Sequence, residues 1–152
     1  MNDNDARDAI CRVGESLFNR GYVHGTTGNI SIRVSDGVLI TPTDACLGAL
    51  AISSISKVDN SGQHVAGDRP SKTIMLHRSI YAADRTATCV IHTHSRQLVA
   101  ASMTTNTATG DLLPPITPYF VMKVGARPPH SLRRSWRENC CRTGGQRNHR
   151  RT

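Results

Sequence analysis

The sequence predicts an α/β or α+β domain, because segments of helical and of strand periodicity alternate along it. Two stretches carry that reading. In "NISIRVSDGVLITP", alternating Ile30, Ile32 and Val34, an "SDG" turn and the returning apolar "VLITP" mark a β-hairpin over residues 29–41. In "TCVIHTHSRQL", residues 88–98, an apolar strand runs into a helical pattern. A length of 152 residues suits one domain with one sizeable core.

The elements follow in order. Over residues 5–19, Ile10, Val13, Leu17 and Phe18 recur at helical spacing, and Gly21 in "NRGY" supplies the stop. The hairpin comes next. "ISKVDNSGQHV" predicts a second, shorter hairpin around "DNSG". Residues 71–83 fit a helix that Ser71 or the residue before it could cap, with Pro70 just ahead. Residues 87–93 form the apolar strand, and "SRQLVAASM" is a further helix. Cys46 and Cys89 are expected as small buried apolar residues.

The net charge of +8 invites a nucleic-acid partner, and its distribution argues against one. Residues 126–152 hold eight Arg, one Glu and no Lys, a net of +7, which leaves +1 for residues 1–125. That segment has no hydrophobic periodicity. It is expected to be a disordered basic tail, residues 126–152, following a domain of residues 1–125. Two explanations compete: a tail that binds something anionic, or loss of the original reading frame near residue 126, which the composition favours. The five cysteines form no CxxC or paired framework, the acidic start lacks an apolar leader, and no apolar run approaches a bilayer span. A cytoplasmic protein without a membrane partner is expected.

His92 and His94 stand two apart, so a strand directs both imidazoles from one face. An HxH pair alone is more often structural or solvent-facing than metal-binding. A catalytic zinc site needs three protein ligands and an open position.

"GTTGNISIRVSDGVLITPT", "GDRPSKTIMLHRSIY" and "CVIHTHS", in this order and spacing, resemble the class II aldolase/adducin family. "TDACLGAL", "ISKVD", "GDRPSK" and "ITPYFVMKVG" look closer to its branch of 3-oxo-tetronate 4-phosphate decarboxylases. The likeness runs from about residue 8 to residue 125. It implies an incomplete three-layer α/β/α domain with a mixed, largely antiparallel sheet.

The resemblance also implies a site. Gly28, Asn29, Thr43, Asp44, Ser71 and Lys72 match residues that contact the substrate phosphate, although Gly28 could be only a turn residue and Ser71 only a cap. Asp44 is discordant, because a carboxylate repels a phosphate and the branch has a small neutral residue there. His92 and His94 match zinc ligands. The third histidine of the family comes from a later "NHG"-type segment that this sequence lacks, and His130 and His149 in the tail are not assigned to that role. Thr73 stands where the family has a catalytic glutamate, and a hydroxyl is a poor base and a poor ligand. His77, one turn after Thr73, is expected to be a packed helix histidine rather than a substitute base. Tyr119 matches the branch's proton donor or is a core aromatic.

The implied function is a zinc-dependent carbon–carbon lyase of sugar-acid catabolism. It would decarboxylate a 3-oxo-tetronate 4-phosphate, a phosphorylated keto sugar acid, to a triose phosphate and CO2. Activity is expected to be impaired and Zn2+ weakly held or absent. The family also implies a homo-oligomer. The alternatives are a fuculose-phosphate-type aldolase, a non-catalytic adducin-like binding or assembly protein, and an anion binder acting through the arginine tail.

Overall fold

The computed structural model describes residues 2–104. The chain opens with helix α1, Asp3–Asn19, whose N-terminus is capped by the Asn2 side chain accepting from the Asp5 N–H at 2.9 Å. Asp3 and Asp5 place negative charge in its first turn, where the helix dipole favours it. Its C-terminus closes as expected at Gly21, which adopts φ +73°. There the Tyr22 N–H donates to Leu17 O and the Gly21 N–H to Phe18 O, satisfying carbonyls that the helix cannot.

Strands β1 (Asn29–Val34), β2 (Gly37–Ile40), β3 (Ser56–Asp59), β4 (His64–Ala66) and β5 (Cys89–His92) form one sheet in the order β4-β3-β2-β1-β5. Every pairing among these strands is antiparallel. Both predicted hairpins are present, and the strand carrying His92 joins the same sheet, beside β1. Short 3-10 turns at Leu47–Ala49 and Ile52–Ser54 bridge β2 and β3.

The alternation in "NISIRV" divides β1 between two faces. Ile30 and Ile32 face α1 and build the core with Ala6, Ile10, Val23, Leu39, Leu47 and Ile55. The stripe that α1 buries is Ala6, Ile10 and Gly14, flanked by Leu17 and Phe18; Val13 sits on its margin and is exposed. Lys57 on β3 bridges Asp3 at the start of α1 and Asp36 in the β1–β2 turn, at 2.7 and 2.8 Å. The other face of β1 is polar and meets helix α2, Ile74–Ala83. Helices thus cover both faces of the sheet. Helix α3, Arg96–Thr104, follows β5.

Two expectations need correction. Helix α2 starts at Ile74 with Thr73 as its N-cap, three residues later than Ser71 suggested, because Ser71 closes a separate turn in which the Ile74 N–H donates to Ser71 O at 3.0 Å. Cys89 is exposed and Cys46 half-buried, so Cys89 is no core residue; it lies on β5, the last strand of the sheet order among the described residues, away from the cluster centred on α1. Among the described residues no helix is long and apolar enough to cross a membrane.

Candidate functional site

The matched residues gather at one end of the sheet. Gly28 turns the chain into β1 at φ +82°, and a Cβ there would lie 2.8 Å from Val23 Cγ1 and 2.9 Å from His92 O. No side chain fits. The backbone can therefore pass close against the end of β5, which puts Asn29 opposite His92 in the β1–β5 register.

Just past β2, the Thr41 hydroxyl accepts the Ile30 N–H at 3.2 Å. The chain after Thr41 then runs beside the approach to α2. Pro42 pairs with Pro70, the Thr43 N–H donates to Arg69 O at 2.9 Å, and the Ser71 N–H donates to Thr41 O at 3.2 Å. These contacts bring Thr43 and Asp44 next to Ser71 and Lys72. The Lys72 ammonium stands 3.8 Å from the Asp44 carboxylate, both side chains well exposed. Asp44 adopts φ +56°, the left-handed region where glycine costs nothing and Asp is tolerated. Ser71 is buried, and its hydroxyl meets that of Thr73 at 2.9 Å. Thr73 caps α2 by backbone position alone, with no side-chain cap bond. The partial positive charge of the α2 N-terminus therefore lies beside these hydroxyls.

Beneath the loops lies a polar network that motif reading did not reveal. His77 on α2 is fully buried. Its Nε2 is 2.5 Å from Asn29 Oδ1 and its Nδ1 is 2.7 Å from Ser31 Oγ. Ser31 Oγ is in turn 2.8 Å from the Tyr81 hydroxyl, which also donates to Ser31 O at 3.1 Å. Arg33 stacks over the Tyr81 ring at 4.6 Å and donates to Tyr81 O at 2.7 Å, fixing the far end. Burial, reinforced by His92, lowers the His77 pKa to about 4, so the ring is neutral at pH 7. With both nitrogens engaged, His77 is the packed helix histidine expected. The signal for the network was available: Asn29 and Ser31 alternate on one strand face, and His77 and Tyr81 recur at i and i+4 on one helix face.

Strand β5 ends at His92, so His94 lies just beyond it rather than within it. The two rings still meet, with centroids 4.8 Å apart. His92 Nδ1 is buried and has no hydrogen-bond partner. Burial and the neighbouring His94 lower the His92 pKa, favouring the neutral, ligating form. An unpartnered buried nitrogen beside a second imidazole is compatible with a pair of metal ligands. No group of three or more His, Cys, Asp or Glu among the described residues could hold a metal. The pair fits half of a zinc site. Tyr119, the later histidines His130 and His149, and the expected domain boundary near residue 125 lie outside the described residues.

Comparison with known proteins places this arrangement in context. The family described as Class II Aldolase and Adducin N-terminal domain matches residues 8–132. A 3-oxo-tetronate 4-phosphate decarboxylase of Cupriavidus necator is 55% identical over 122 residues, covering 80% of this chain and 56% of the relative. An L-fuculose phosphate aldolase of Methanocaldococcus jannaschii is 34% identical over 116 residues, covering 76% of this chain and 61% of the relative. Among solved structures, YgbL of Klebsiella pneumoniae superposes with a TM-score of 0.77 at 34% identity, covering 90% of this chain and 70% of that one. The chain thus spans rather more than half the length of these curated relatives.

Proposed function

The chain belongs to the class II aldolase/adducin family, and from that premise we propose that it is a carbon–carbon lyase acting on a 3-oxo-tetronate 4-phosphate, releasing CO2 and a triose phosphate. The observation that carries this reading is the gathering of Gly28, Asn29, Thr43, Asp44, Ser71 and Lys72 at the same sheet end as the His92–His94 pair. An anion-holding corner beside paired imidazoles suits a substrate with a phosphate at one end and a keto acid at the other. The identity to the decarboxylase of Cupriavidus necator supports this branch over the aldolases.

The residues divide the work. Lys72, the α2 N-terminus and the Ser71 hydroxyl hold the phosphate, with the Asn29 amide beside them. His92 and His94 hold a zinc ion, which when bound supplies Lewis-acid stabilisation of negative charge on the keto acid. Tyr119 is assigned as the proton donor to the carbon that loses CO2.

Thr73 bears on which reaction survives. When a 3-oxo acid loses CO2, the carbon–carbon bond breaks and its electron pair stays with the adjoining carbon and the ketone oxygen. No base is needed. An aldolase running in the condensing direction must first remove a proton, which a threonine hydroxyl cannot do near neutral pH. Thr73 therefore penalises aldol chemistry more than decarboxylation.

Thr73 and the two-imidazole metal pair also favour a second reading, a non-catalytic member of the family that binds sugar phosphates or assembles. The free thiols Cys11, Cys46 and Cys89 suit the cytoplasm. Assembly as a homo-oligomer, which the resemblance implies, is measured by light scattering. The deciding experiment supplies zinc and a 3-oxo-tetronate 4-phosphate and follows CO2 release. Zinc-dependent release supports the lyase. Phosphate binding without CO2 release supports the binding protein.

A further inference from the structure

Asn29 is 7% exposed, and its carboxamide oxygen is already taken by His77. That oxygen carries no hydrogen, so His77 Nε2 must be the donor of the 2.5 Å bond. A neutral imidazole then accepts at Nδ1, and Ser31 Oγ–H is the donor 2.7 Å away. With the Ser31 hydrogen used, the single Tyr81 hydroxyl hydrogen is shared between Ser31 Oγ at 2.8 Å and Ser31 O at 3.1 Å. Tyr81, Ser31, His77 and Asn29 form one chain of donations running toward the anion-binding end of the sheet.

The amide nitrogen of Asn29 has no hydrogen-bond partner among the described residues, yet it is not among their fully enclosed, unpartnered atoms. It therefore reaches accessible space. A carboxamide is a two-ended group of opposite polarity. If it turned over, an acceptor oxygen would face the anion and repel it.

We infer that His77 is a positioning residue for the anion site, its Nε2–H holding the Asn29 amide with the oxygen inward so that only N–H donors face a bound phosphate. The inference rests on the phosphate reading above. His77 touches no ligand and acts only through Asn29. The Ser31 hydroxyl, donating to Nδ1, accommodates the tautomer that does this, and Tyr81 holds Ser31 in place.

Two measurements test it on the full chain. The first needs no ligand: two-dimensional ¹H–¹⁵N NMR of the His77 ring at pH 7. The Nε2–H tautomer is expected; the Nδ1–H tautomer overturns the inference whether or not phosphate binds. The second is titration with inorganic phosphate of four proteins, unaltered, N29A, H77L and the N29A/H77L double variant. One charge-assisted hydrogen bond is worth roughly tenfold in affinity. N29A and H77L are each expected to weaken binding by about that factor, and H77L to add less than about twofold in the N29A background, because both remove the same interaction. H77Q keeps an N–H toward Asn29 and should recover most of the affinity; it also serves if H77L does not fold. Additive losses, or full affinity in H77L, overturn the positioning role and leave the phosphate reading intact. No phosphate binding by the unaltered chain overturns both.

Discussion

Lys72 and Asp44 face each other from two loops, Nζ and Oδ2 3.8 Å apart, at the place where a phosphate would enter. An exposed pair of this kind adds little stability. Its consequence is electrostatic: the carboxylate competes with any anion for the ammonium.

Asp44→Gly is expected to raise affinity for inorganic phosphate by roughly three- to tenfold at low ionic strength, with the gain shrinking as salt screens the charge. Glycine also suits the left-handed backbone of φ +56°, so the melting temperature should not fall. Weaker phosphate binding in this variant contradicts the assignment of the corner.

His77 sets an acid limit on the fold. Its pKa is about 4 when folded and about 6.5 when unfolded, so the unfolded chain binds more protons between these values. The stability is fully present above pH 6.5 and is lost as pH falls toward 4, on the order of 3 kcal/mol in all. Denaturant titrations from pH 7 to 4 should show this slope and show less of it in H77Q. An equal slope in both proteins places the acid sensitivity elsewhere.

Gly28→Ala should destabilise the chain by roughly 2–4 kcal/mol, since it combines left-handed strain with overlap of a buried side chain and a fixed backbone oxygen. The overlaps fall on Val23 Cγ1 and His92 O. The end of β5 should shift, which NMR shifts of the His92 ring will report. An unperturbed melting curve would mean that Gly28 has more room than the geometry gives it.

Zinc should bind in a form that dialysis against a chelator removes, because two imidazoles leave the ion largely hydrated. H94A should abolish the binding. One zinc per chain surviving the chelator would mean a third ligand from outside residues 2–104 or from another copy.

Thr73→Glu alone should gain little CO2 release. The carboxylate restores a base where the rate depends first on charge stabilisation, and the two act as a unit. A gain beyond about tenfold would show that the base was the limiting defect.

The elements were legible because their signals are clean: "NISIRV" alternates strictly, the apolar "VLI" returns after an "SDG" turn, and Gly21 ends α1 where the pattern breaks. The start of α2 was not, since Ser71 offers the same hydroxyl to a turn as to a cap and only the hydrogen bonds decide. Gly28, Asn29, His92 and His94 were visible as motif residues, but their meeting depends on β1 pairing with β5, Asn29 with His92 far along the chain, a contact that no local pattern encodes. The Ser31–His77–Tyr81 network needed two faces to be laid against each other before its purpose could appear.

Asn29 and His92 stand opposite one another in the β1–β5 ladder, and that makes the union of phosphate corner and imidazole pair a question of parity. Strand side chains alternate, so sliding β5 by one place sets Ile91 against Asn29 and sends the His92 ring through to the α1 side. A two-place slide keeps the face but moves the ring about 7 Å along the strand. Substitutions at Val90 or Cys89 leave this count untouched. Loss of a single residue between Ala87 and Val90 shifts it by one. The spacing along β5 is therefore more exacting than its composition.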